Sequence, residues 1–106
     1  MFAIEISTYG LPDVLRLAER PKPEPGAGEI VIKIEAAGVA RADTLQRQGK
    51  YPPPPGASDI PGLDAAGTIE SLGAGVHGWK KGERVCAILS GGGYAEYCTV
   101  PEAQGR

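Results

Sequence analysis

A chain of 106 residues is one domain, and area scaling lets it bury roughly two-thirds of its unfolded surface. The net charge is −2 with lysines and arginines scattered, so no basic stripe for nucleic acid is present. No run approaches ~18 apolar residues and residues 1–7 lack a basic leader, which argues against a membrane span or signal peptide and for a soluble cytoplasmic protein. Sixteen glycines and ten prolines punctuate the chain, but alternating apolar runs lie between them, so many short strands and tight turns are expected rather than disorder. Cys86 and Cys98, without a CxxC pair, make no disulfide framework.

Phe2, Ile4 and Ile6 alternate with Ala3, Glu5 and Ser7, the period of a half-buried strand. Gly10 and Pro12 turn the chain, and 14–19 reads as a second strand. Three prolines in 21–28 make a stiff extended connector, because each removes a donor and fixes φ. Residues 29–37 form the strongest strand, with Ile30, Ile32 and Ile34 on one face and Val31, Lys33 and Glu35 on the other. A short helix is expected over 40–48, anchored by Leu45 and ended by Gly49. Tyr51 precedes four prolines, 52–55, which impose an extended path. Residues 64–72 read as a strand, followed by a glycine-bracketed turn with Trp79 capping the core and the exposed His77 nearby. Two strands, 84–89 and 94–100, flank the glycine triplet 91–93. If they form a symmetric hairpin, Cys86 and Cys98 face each other, most simply as a reduced pair. About seven strands and one short helix predict an all-β barrel or sandwich. No βαβ unit or helix-opening GxGxxG supplies a dinucleotide cradle.

The strings GVARAD (38–43), QRQGKY (46–51), PPPGAS (53–58), PGLDAAG (61–67), GWKKGERV (78–85) and GGGYAEYCTVP (91–101) together cover most of the chain. In order and spacing they resemble the zinc-free quinone oxidoreductases of the medium-chain dehydrogenase/reductase superfamily, in their N-terminal catalytic half. The resemblance implies a GroES-like fold, a partly open β-barrel over residues 1–106, truncated before a Rossmann cofactor domain. It implies hydride transfer from NADPH to a quinone or related conjugated carbonyl in the cleft between the domains, with no activity expected of this half alone.

Zinc-dependent alcohol dehydrogenases of the superfamily are similar at the same two loops. There a cysteine falls at Ala40 and a histidine at Leu63. Neither alanine nor leucine ligates, and Asp64 alone is not the three-ligand set a catalytic zinc needs. No metal is therefore expected. A quinone tolerates this, since delocalisation stabilises the added electrons.

The resemblance implies a cleft lined by Tyr51, whose ring can stack and whose hydroxyl can donate, and by Leu63 and Gln46. It places Asp43 on the nicotinamide side as a catalytic candidate beside Tyr51, and Ala40, Arg41 and Asp43 toward the cofactor. Relatives usually carry asparagine at Ala40, so that side-chain contact is missing here. From the residues alone, Tyr51 is a loop tyrosine packed on prolines and Asp43 a first-turn carboxylate favoured by the helix dipole. Arg41, Gln46 and Gln48 are solvated surface, and Leu63 with the small run 65–67 reads equally as an apolar floor that lets a flat ring approach or as core packing. Other readings are an enoyl or enone reductase on the same scaffold, a co-chaperonin, and a non-enzymatic GroES-like binding module. An exposed apolar wall would favour homo-oligomers.

Overall fold

A computed structural model describes residues 1–50, 52–53 and 57–106. The elements are β1 (Phe2–Ile6), a 3₁₀ turn (Pro12–Val14), β2 (Leu15–Glu19), β3 (Glu29–Ala36), α1 (Arg41–Arg47), β4 (Asp64–Leu72), β5 (Arg84–Ile88), β6 (Tyr97–Pro101) and a second 3₁₀ turn (Glu102–Gln104). β1 and β2 make a two-stranded antiparallel ribbon, with Ile4 opposite Leu17. The other strands form an antiparallel sheet in the order β5-β4-β3-β6. The sheets are open rather than closed into a continuous barrel. The mostly-β class with one short helix expected from the sequence is the class observed.

Alternation builds the core. Ile30 and Ile32 of β3, Ala65 and Ile69 of β4, Val85 and Ala87 of β5, and Cys98 and Val100 of β6 bury one face of the sheet together with Leu89. Ile34, Val76 and Trp79 pack against that cluster, so Trp79 takes the capping place expected of it. Its indole N–H donates to the Glu102 carbonyl at 3.2 Å, which satisfies the buried edge of the ring. Val31 departs from the expected alternation and is fully buried, so the start of β3 is covered on both faces.

Two expectations at the C-terminal strands need correction. Six strands form among the described residues, and the last begins at Tyr97 rather than Tyr94. Residues 94–96 spend their backbone groups on joining the two sheets instead. The Ile4 amide donates to the Tyr94 carbonyl, the Glu96 amide to the Phe2 carbonyl, and the Ile34 amide to the Glu96 carbonyl. Nor do β5 and β6 form a hairpin, because they occupy opposite edges of the sheet. Cys86 and Cys98 therefore do not face each other. Cys86 is exposed and Cys98 is buried, both as free thiols, and burial pushes the Cys98 thiol up to about 11.

The helix α1 also docks differently from its expected mode. Leu45 is only half-buried, while Asp43 and Gln46 are the buried residues. The surface beneath α1 is loop backbone with unpaired donors and acceptors, which polar side chains satisfy and leucine cannot. Gln46 Nε2 donates to the Asp59 carbonyl at 3.2 Å. At the other end the Gly10 amide donates to the Arg47 carbonyl at 2.9 Å. Gly49 closes the helix at φ +81°, and a Cβ there would lie 2.9 Å from atoms of the Tyr9 ring.

Candidate active-site cleft

Three loops meet at one end of the four-stranded sheet: 37–40 leaving β3, 60–63 entering β4, and 89–93 leaving β5. Their junction is built on glycine. Gly62 sits at φ +108°, where a Cβ would fall 2.6 Å from the Gly93 Cα. Only two glycines let the second and third loops approach this closely. Backbone bonds then lock them: Gly93 N–H to Gly62 O at 3.1 Å, Gly92 N–H to Ile60 O at 2.8 Å, and Tyr94 N–H to Pro61 O at 3.0 Å. The triplet 91–93 is therefore a loop-packing device.

Asp43 ties the first loop to the other two. One carboxylate oxygen, Oδ1, accepts from the Gly62 amide at 3.1 Å. The other, Oδ2, accepts from the Ala40 amide at 2.9 Å and from the Tyr94 hydroxyl at 2.8 Å. The bond to Ala40 is half of a capping box; Ala40 lacks the oxygen that would make the other half. Asp43 is only 5% exposed. It lies beneath the surface, with both oxygens accepting from protein donors. Burial, together with the bond to Asp43, pushes the Tyr94 phenol well above its ordinary value, so it remains a donor.

Beside this sealed junction lies an open cleft of about 900 Å³. Its floor is small and apolar: Ala36, Ala66, Cys86 and Ile88, with Ile88 77% exposed. The period-two faces of β4 and β5 explain this composition, since Val85, Ala87 and Leu89 point into the core and Cys86 and Ile88 point out. Asp64 and Arg106 are the charged residues lining it. Asp64 Oδ1 accepts from the Gly38 amide at 2.5 Å. A Cβ on Gly38 would lie 2.8 and 2.9 Å from the two carboxylate oxygens, so only glycine lets the carboxylate sit there unmoved. A smaller hollow of about 360 Å³ shares Ala36, Ala66, Cys86 and Arg106 and reaches Glu35 and Arg84.

The sequence-derived residues separate on this geometry. Ala40 is half-buried at the N-cap of α1, and Arg41 is exposed in the first turn. Leu63 is half-buried and its carbonyl accepts from the Leu89 amide at 2.8 Å; it borders the cleft through its neighbour Asp64. Gln46 is buried under α1, with its amide on the Asp59 carbonyl, rather than solvated. Tyr51 lies outside the described residues. Sequence reasoning missed Tyr94, whose signal was an aromatic placed directly after the glycine triplet. It also missed Cys86 and Ile88, legible as the outward positions of an alternating strand.

The alcohol dehydrogenase GroES-like domain matches residues 26–105. This chain belongs to that family. A quinone oxidoreductase of Lama guanicoe is 43% identical over 104 residues, covering 96% of this chain and 32% of the relative. The crystal structure of Escherichia coli quinone oxidoreductase complexed with NADPH superposes with a TM-score of 0.87 at 32% identity, covering all of this chain and 32% of that one. That of human synaptic vesicle membrane protein VAT-1 homolog-like protein gives 0.92 at 33% identity, over all of this chain and 34% of that chain. The resemblance carried by the six sequence strings is thus found along the whole chain, which spans about a third of the length of the relatives it matches.

Proposed function

We propose that this chain forms the substrate-side wall of an NADPH-dependent, zinc-free quinone reductase. The observation that carries the reading is the open apolar cleft, floored by Ala36, Ala66, Cys86 and Ile88, at the junction of three braced loops. Such a surface suits a flat, weakly polar ring, and its size falls in the range of small-molecule sites. The likeness to quinone oxidoreductases over nearly the full chain supports the same choice.

Zinc does not fit the residues present. Ala40 and Leu63 carry no ligand atom, and one oxygen of Asp64 already holds the Gly38 amide. The acceptor would be activated by its own conjugation and by the shape of the cleft. NADPH, when bound, supplies a hydride. Toward it this chain offers Arg41, exposed at the start of α1, while Asp43 acts by holding Ala40 and the two facing loops in place. The chemical step adds a hydride and a proton to a quinone and yields a hydroquinone, so charge and electrons balance without a metal.

Calorimetric titration of the 106-residue chain tests the reading. Saturable binding of 1,4-naphthoquinone with at most weak NADPH binding is expected, since no phosphate cradle is present in its sequence. Tight NADPH binding with no quinone binding would overturn it.

A further inference from the structure

Asp64 stands at the cleft with chemistry that the reduction itself does not require. It is exposed, and its Oδ1 is fixed by the Gly38 amide, while Oδ2 has no hydrogen-bond donor among the described residues. Gly38 is the residue that permits this pose, because any Cβ there would press on both oxygens. The other charged residue lining the cleft, Arg106, has its Nη1 turned onto the Ala103 and Gly105 carbonyls at 3.1 and 3.2 Å. Asp64 Oδ2 is therefore an acceptor bearing negative charge at the apolar floor, in a lining whose other polar side chains are Ser90, Gln104 and Arg106.

We propose that Asp64 makes this cleft select planar molecules that carry a hydroxyl donor over those that present only carbonyl oxygens. The inference rests on the quinone reading above and deepens it. A quinone offers lone pairs, which a carboxylate repels. The hydroquinone formed from it by gain of one hydride and one proton offers two O–H groups, which a carboxylate accepts. Charge-assisted hydrogen bonds are roughly twice as strong as neutral ones, and exposure to water reduces the net gain. Asp64 thus biases the cleft toward the reduced form and toward phenolic ring systems of similar width.

The test compares dissociation constants of the 106-residue chain for 1,4-dihydroxynaphthalene and 1,4-naphthoquinone, both measured calorimetrically under argon. The unsubstituted chain should bind the diol roughly three- to tenfold more tightly. Asp64→Asn, which presents an amide donor as well as an acceptor, should abolish or reverse that preference, and Asp64→Ala should level it. Both substitutions lie at an exposed site, and unchanged thermal midpoints would show that the fold is retained. Arg106→Gln should leave the preference in place. Equal binding of the two probes by the unsubstituted chain, or a preference that survives Asp64→Asn, would overturn the role of Asp64 while leaving the quinone reading intact. Binding of neither probe would overturn both.

Discussion

Asp43 in α1 and Asp64 at the start of β4 are two carboxylates at one end of the same sheet, and they do opposite things. Asp43 is 5% exposed and takes three protein donors. Asp64 is exposed and takes one. The first holds the backbone of three loops together; the second is held by the backbone and presents an oxygen to whatever enters the cleft. Residue type does not distinguish them. What does is the number of orphan amides and hydroxyls the fold brings to each.

That contrast is sharpest in stability. Asp43→Ala leaves the Gly62 amide, the Ala40 amide and the Tyr94 hydroxyl without their acceptor. A loss of about 3 kcal/mol is expected from the unfolding midpoint in urea, against less than about 1 kcal/mol for Asp64→Ala. Comparable losses at the two positions would erase the distinction. Gly62→Ala probes the same junction from the backbone side. Its Cβ would meet Gly93 and its φ is in the left-handed region, so about 2 kcal/mol should be lost, with Gly93→Ala showing a similar trend.

Tyr94→Phe removes one donor from Asp43 and keeps the ring, so about 1 kcal/mol is expected. Its pH dependence is more telling. The folded-state phenol titrates above its unfolded value of 10.0, so its contribution is intact below about that pH. Above it, the unfolded chain ionises first and stability falls. The unsubstituted chain should therefore lose stability above pH 10 more steeply than Tyr94→Phe, as read by urea midpoints across pH 8–11. The smallest effect belongs to the Arg20–Asp59 pair, where Asp59 is 71% exposed. Arg20 lowers the Asp59 carboxyl below its ordinary range, so the pair stabilises above that range and fades as acid protonates it. Solvent screening keeps its worth at or below about 0.5 kcal/mol, seen as a slight salt sensitivity of the midpoint.

The fold was legible where one force dominated. Alternation placed Ile30 and Ile32 of β3 on the core face, and Gly49 marked the end of α1 because its backbone needs φ > 0. Legibility failed where backbone hydrogen bonding overruled local pattern. Tyr94 and Glu96 look like strand residues but bridge two sheets, and the apparent 84–100 hairpin is split across the sheet because β3 and β4 lie between its arms. At the candidate site the strings run through the loops that meet beside the cleft but do not reveal the burial of their side chains. Asp43 and Gln46 carry the same polar signature as solvated residues, and only the orphan groups of distant loops, 13 to 51 residues away, draw them inward.

The contrast between the two carboxylates is tested most directly by following backbone amides by NMR while 1,4-dihydroxynaphthalene is titrated into the 106-residue chain. The amides of Gly38, Ala66, Cys86 and Ile88 should shift with one common saturation curve, while those of Ala40 and Gly62, bonded to Asp43, stay in place. Shifts concentrated at Ala40 and Gly62, with the cleft floor unmoved, would contradict the account.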